Sequence, residues 1–194
     1  MKKFTNEYER FADAARSIKV GDGTGIYLGE GSESQAWLIN DEGRQYVLKF
    51  ANTLSPRGRQ RNIAAAINNV MVVGAKAEGI SGLEQLRAAS PGDGVAVYDF
   101  IPGQTVDSIA AGDVSDEQVS TLLKTITEAT NAGIEFDGWN ITGSNGIYSP
   151  ATGFTFLDFW SAAGRLTLEK NTKYALRSLG AVGLVLAERT GYRI

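Results

Sequence analysis

The chain has no histidine and no cysteine. Without histidine there is no imidazole base, no His-dependent triad and no imidazole metal ligand. Without cysteine, disulfides and thiolate metal sites are excluded. Acid–base and metal work falls to Asp, Glu, Asn and Lys, the set that suits magnesium and phosphate. There is no excess of basic residues either. Lys plus Arg number 19 against 22 acidic residues, for a net charge of −3. That argues against a broad basic face, so no nucleic-acid partner is expected. No apolar run approaches the ~18 residues of a membrane span, so no membrane partner is expected. The opening Met1-Lys2-Lys3-Phe4 continues into the polar run Thr5–Arg10, which lacks the apolar middle of a cleavable signal peptide.

What is present suits a folded chain of one domain or two small lobes. It has 194 residues, of which 43% are hydrophobic. Phe4, Tyr8, Phe11, Ala14 and Ala15 fall at helical spacing, so a helix is expected over 3–17. Strands are expected over 25–29, 34–39 and 45–50, the first two joined by a turn carrying Gly29 and Gly31 and the next pair by Asn40-Asp41-Glu42-Gly43. Lys49 stands inside the apolar strand Val47-Leu48-Lys49-Phe50. A helix with a wide apolar face is expected over 57–78, with Gly74 weakening its last turns. Leu83–Ala89 reads as a strand or as a short helix. Val95–Phe100 reads as a buried strand ended by Ile101-Pro102-Gly103, and this is where a β-rich part gives way to a helical part. Ser115-Asp116-Glu117-Gln118 starts the next helix with a good N-cap, and Asn131-Ala132-Gly133 ends it. A last helix is expected over 170–189, in which Gly180 and Gly183 mark a close helix–helix approach.

The run from Trp139 to Trp160 has the most chemistry in it. Asn145-Gly146 favours a turn ahead of a short hairpin. The hairpin's second strand, Phe154–Leu157, leads directly into Asp158. Backbone geometry alone would carry Asn145 and Asp158 to one end of a β-ribbon.

Five motifs in this order resemble the protein-kinase-like family. L-G-E-G-S-E-S-Q-A-W-L-I, from Leu28, is similar to the nucleotide loop and the strand after it. V-L-K-F resembles the strand that holds the phosphate-binding lysine, and V-Y-D-F-I-P-G resembles the hinge. N-I-T-G-S-N is similar to the catalytic loop, and L-D-F-W to the metal-binding D-F-G. After Asp158 only residues 159–194 remain, with no long activation segment and no A-P-E. The resemblance is therefore nearest to the minimal type III effector kinases of bacteria.

The resemblance implies an α+β, two-lobed minimal protein-kinase-like fold. An N-lobe over 1–101 would hold an antiparallel sheet and one main helix, and a reduced helical C-lobe would follow over 102–194. It implies an ATP-dependent kinase using magnesium on Ser, Thr or Tyr of a host protein, monomeric, secreted into the host cell cytoplasm or else resident in the bacterial cytoplasm. Gly29, Gly31, Ser32 and Lys49 would meet the ATP phosphates, and Tyr98, Asp99 and Ile101 the adenine. Asn145 and Asp158 would hold magnesium. If Asn145 is the metal-binding Asn, the catalytic-base position falls on Asn140, whose amide cannot take a proton as a carboxylate does. A second frame makes Asp137 the base. The helix partner of Lys49 is also open, since Asn68 and Asn69 stand at the expected depth and Glu78 is the nearest carboxylate. Ser34 stands where the family often has a third glycine. A pseudokinase that acts by binding nucleotide or a partner is one alternative. A small-molecule kinase of the aminoglycoside type is another.

Overall fold

The computed structural model describes residues 1–31, 33–54, 60, 62–138 and 143–193. The fold is α+β, and its contacts divide into two units. The first comprises Met1–Ala75 and Gln85–Phe100, the second Lys76–Glu84 and Ile101–Ile194. Among the described residues no helix is long and apolar enough to cross a membrane.

The first unit opens with α1 (Lys2–Tyr8), a 3-10 turn over Glu9–Phe11, and α2 (Ala12–Lys19). The single helix expected over 3–17 is thus two short helices, tightened where Phe11 turns into the core. Then come β1 (Ile26–Glu30), β2 (Ser34–Asp41), β3 (Arg44–Ala51), α3 (Ile63–Ala77), β4 (Leu86–Ser90) and β5 (Val95–Asp99). All sheet pairings are antiparallel, in the order β1-β2-β3-β5-β4. Leu83–Ala89 resolves as a strand, begun later than expected.

Glu42 and Gly43 have φ of 49° and 79°, the signs required by the two-residue turn that joins β2 to β3. One sheet face carries Tyr46, Leu48, Ala88, Val95 and Val97, packed with Tyr8, Phe11, Ala15 and Ile18. The other cluster gathers Ala96, Leu86 and Ala89 with Phe4 and the α3 residues Ile67 and Met71. Helix α3 does not stop at Gly74. A Cβ there would meet Leu86 Cδ2 at 2.6 Å, so the missing side chain lets β4 approach the helix.

The second unit contains β6 (Gln104–Thr105), 3-10 turns at Val106–Ser108 and Ala111–Asp113, α4 (Asp116–Asn131), β7 (Ile134–Phe136), β8 (Gly146–Ser149), β9 (Gly153–Phe156), β10 (Phe159–Ser161), α5 (Leu168–Ser178) and α6 (Gly180–Thr190). Ser115 caps α4 in a full capping box. Its Oγ accepts from Gln118 N–H at 3.2 Å while its own N–H donates to Gln118 Oε1 at 3.0 Å. The helix expected over 170–189 is broken in two, because Gly180 takes φ +60° and turns the chain. The core runs through Leu122, Ile126, Phe136, Phe156, Leu176, Leu179 and Leu186.

Candidate active site

In the second unit, two β-ladders meet at Leu157–Asp158. On one side β8 and β9 pair from Ser149↔Gly153 down to Gly146↔Phe156. Leu157 N–H then donates to Asn145 C=O at 2.9 Å, carrying the pairing one step further. Asn145, 7% exposed, therefore sits across from the residue that precedes Asp158. On the other side β10 pairs with β7 in the register Phe159↔Phe136, Trp160↔Glu135 and Ser161↔Ile134. Asp137 directly follows Phe136 and Asp158 directly precedes Phe159, so the two carboxylates flank the Phe159↔Phe136 end of this ladder. Asn145 thus sits at the end of one ladder, and Asp137 and Asp158 at the end of the other, with Leu157 and Asp158 linking the two.

Two further features fix that junction. The rings of Phe136 and Phe156, one residue before Asp137 and two before Asp158, pack with centroids 4.4 Å apart. Such pairs contribute about 0.5–1.5 kcal/mol beyond their buried area. The segment 82–84 runs along the other edge of Phe156, whose N–H donates to Gly82 C=O at 2.9 Å and whose carbonyl accepts from Glu84 N–H at 3.0 Å. Glu84 is 4% exposed. Nothing in the pattern L-E-Q-L distinguishes it from a surface glutamate, and sequence reasoning passed over it.

Magnesium is a hard cation that accepts one or two protein oxygen ligands and leaves its other positions to phosphates and water. An amide oxygen from Asn145 and a carboxylate from Asp158 fit that requirement. Among the described residues no group of three acidic side chains is gathered to hold a metal.

The remaining candidates lie mostly in the first unit. Gly29 sits in β1 at an irregularity of register and has φ +149°, a backbone conformation that favours glycine. Gly31 N–H donates to Ser34 C=O at 2.8 Å, and Asn52 Nδ2 donates to Gly31 C=O at 3.1 Å. Ser32 lies outside the described residues. Lys49 is in register with Ala36 and Ala96, which puts it on the α3 face of the sheet. It is half-buried, with Nζ 4.5 Å from the centroid of the Tyr98 ring. That is a cation–π contact on a partly covered face. Asp99 N–H donates to Gln85 C=O at 3.2 Å. Its carboxylate receives Arg87 Nε at 2.7 Å and Nη2 at 2.5 Å. Ile101, half-buried, belongs to the second unit.

Asn68 and Asn69 both face solvent, and Glu78 is exposed just past the helix end. Asn140 lies outside the described residues. Asn171, absent from the sequence reasoning, proves to be a fully buried polar side chain beside β7. No family model matches the chain, and no curated protein matches it.

Proposed function

We propose that this chain is a Mg-ATP-dependent protein kinase acting on a hydroxyl of another protein. The observation that carries this reading is the junction of Asp137, Asn145 and Asp158 at adjoining ladder ends. A carboxylate next to a pair of hard oxygen donors is what phosphoryl transfer to a hydroxyl requires. This reading takes Asp137, the carboxylate that follows Phe136 at the ladder end, as the base, with Asn140 the rival position. In this reading the attacking hydroxyl loses its proton to Asp137 as its oxygen bonds to the γ-phosphorus, and the bond to the ADP oxygen breaks. Asn145 and Asp158 would hold magnesium, whose charge would offset that of the phosphates. The resemblance assigns Gly29, Gly31 and Lys49 to the phosphates and Tyr98, Asp99 and Ile101 to the adenine. The resemblance to minimal effector kinases supports a two-lobed, monomeric enzyme whose target is a host protein, delivered by secretion.

The test is transfer of labelled phosphate from Mg-ATP into a eukaryotic lysate, comparing the wild-type chain with Asp137→Asn, Asn140→Asp and Asp158→Ala. Labelling by the wild type, lost in Asp137→Asn and Asp158→Ala, supports the assignment. Labelling only by Asn140→Asp moves the base to position 140 and makes the chain a disabled kinase. No labelling, together with no rise in melting temperature on adding Mg-ATP, overturns the reading, because a ligand that binds the native state must stabilise it.

A further inference from the structure

We propose that Asn171 is a positioning residue for Asp137, acting as a side-chain substitute for a missing strand on the outer edge of β7. This inference rests on the assignment of Asp137 as the base.

Asn171 lies on α5 and is 0% exposed. Its Oδ1 accepts from Phe136 N–H at 3.0 Å, and its Nδ2 donates to Ile134 C=O at 2.8 Å. These two backbone groups point to the same edge of β7, and the edge facing away from them is occupied by β10. One amide therefore makes both bonds that a neighbouring strand would have made. The second Nδ2 proton goes to Thr130 Oγ1 at 2.9 Å. Thr130 has already donated its own hydroxyl proton to Ile126 C=O at 2.7 Å, so its oxygen serves as the acceptor. That fixes the orientation of the amide, since every neighbour requires Nδ2 to donate and Oδ1 to accept.

The next residue after this bracket is Asp137. Ile134 and Phe136 are 0% and 1% exposed, so their side chains anchor the strand in the core whatever happens at Asn171. Loss of the amide should therefore leave β7 in place but release its edge, and with it the setting of Asp137. A buried asparagine that is merely a satisfied core residue would affect stability alone. A positioning residue affects the transfer step and leaves nucleotide binding alone.

The experiment compares wild type with Asn171→Ala, Asn171→Asp, Thr130→Val and Thr130→Ser. Asn171→Asp keeps the acceptor for Phe136 but sets a carboxylate against Ile134 C=O. Displacements on the ångström scale cost about a hundredfold in rate, so both Asn171 variants should lose about that in kcat, with KM for ATP little changed. Thr130→Val should move in the same direction by less, and Thr130→Ser, which retains the oxygen, should match wild type. Should Asn171→Ala fail to fold, the Asn171→Asp and Thr130 pairs carry the same comparison. A folded Asn171 variant with wild-type kcat overturns the inference alone. So does a variant in which kcat and KM for ATP worsen together. A wild-type chain without transfer removes instead the kinase reading on which it rests.

Discussion

Replacing Gly183 with alanine sets two opposing effects against each other, and the structure decides which prevails. In an exposed helix the change would stabilise, since glycine is about 0.8–1.0 kcal/mol less favourable than alanine. Gly183 is buried in α6, with its N–H donating to Leu179 C=O at 3.3 Å. A Cβ at this position would stand 1.7 Å from the carbonyl oxygen of Leu176 and 3.1 Å from Leu179 Cβ. The obstacle is backbone near the end of α5, not a side chain free to rotate away. Overpacking of this kind costs about 1–3 kcal/mol and occasionally more, and an immovable carbonyl puts the cost at the upper end. Subtracting the propensity gain leaves a net loss of about 2 kcal/mol. At about 2–4 °C per kcal/mol for a chain of this size, Gly183→Ala should melt about 4–8 °C below wild type by circular dichroism. Gly164→Ala is the control, because nothing lies within 4 Å of its would-be Cβ. A Gly183→Ala protein that melts at or above the wild-type temperature would refute the claim that α5 and α6 meet through this glycine.

Other outcomes follow from the same contacts. Ser115→Ala removes the α4 cap and should cost about 1 kcal/mol, read from the urea midpoint, with Gln118 left to hold Pro150 C=O through Nε2 at 3.1 Å. Gly138→Ala would put a Cβ 2.3 Å from Tyr174 Cδ1, immediately after Asp137. It should cost about 1–3 kcal/mol of stability and lower transfer more than it lowers ATP binding. Burial, then the charge of Asp93 and a hydrogen bond to it, raise the pKa of Tyr8 well above the ordinary phenol value. The folded state therefore keeps a proton that the unfolded chain releases above pH ~10, and stability should fall by about 1.4 kcal/mol per pH unit from there upward. Tyr8→Phe should flatten that alkaline slope in denaturation measured between pH 9 and 11. An unchanged slope would show that another group sets it.

Much of this fold is legible because the sequence pattern and the contacts agree locally. The N-D-E-G turn and the Ser115 cap are each specified by neighbours within a few residues, whereas the β8–β9 hairpin turns at 150–152 rather than at Asn145-Gly146. Gly180 and Gly183 were legible as a pair marking a close helix approach. Their separate roles were not, because one glycine turns the chain by its φ and the other makes room for Leu176, a residue of another helix. Gly74 misled for the same reason. Its helix penalty is a local quantity, whereas the approach of Leu86 that favours it is not. In the candidate site, Asn145 and Asp158 were legible because one hairpin joins them. That Asp137 and Asp158 flank one ladder end depends on β7 pairing with β10 across the whole hairpin, which no local pattern shows. Glu84 and Asn171 gave no signal, since a buried polar residue looks in sequence like an exposed one until its partners are placed.

The β8–β9 hairpin carries its chemistry at its open end, while its turn at 150–152 lies at the far end. Register is counted from the base, where Gly146 faces Phe156, so the turn can change in length or composition without altering which residue Asn145 faces. Such a turn is a natural port for variation. Insertions there, whether made by evolution or by grafting an epitope or reporter peptide, could add a recognition surface to the second unit while the three site residues keep their places.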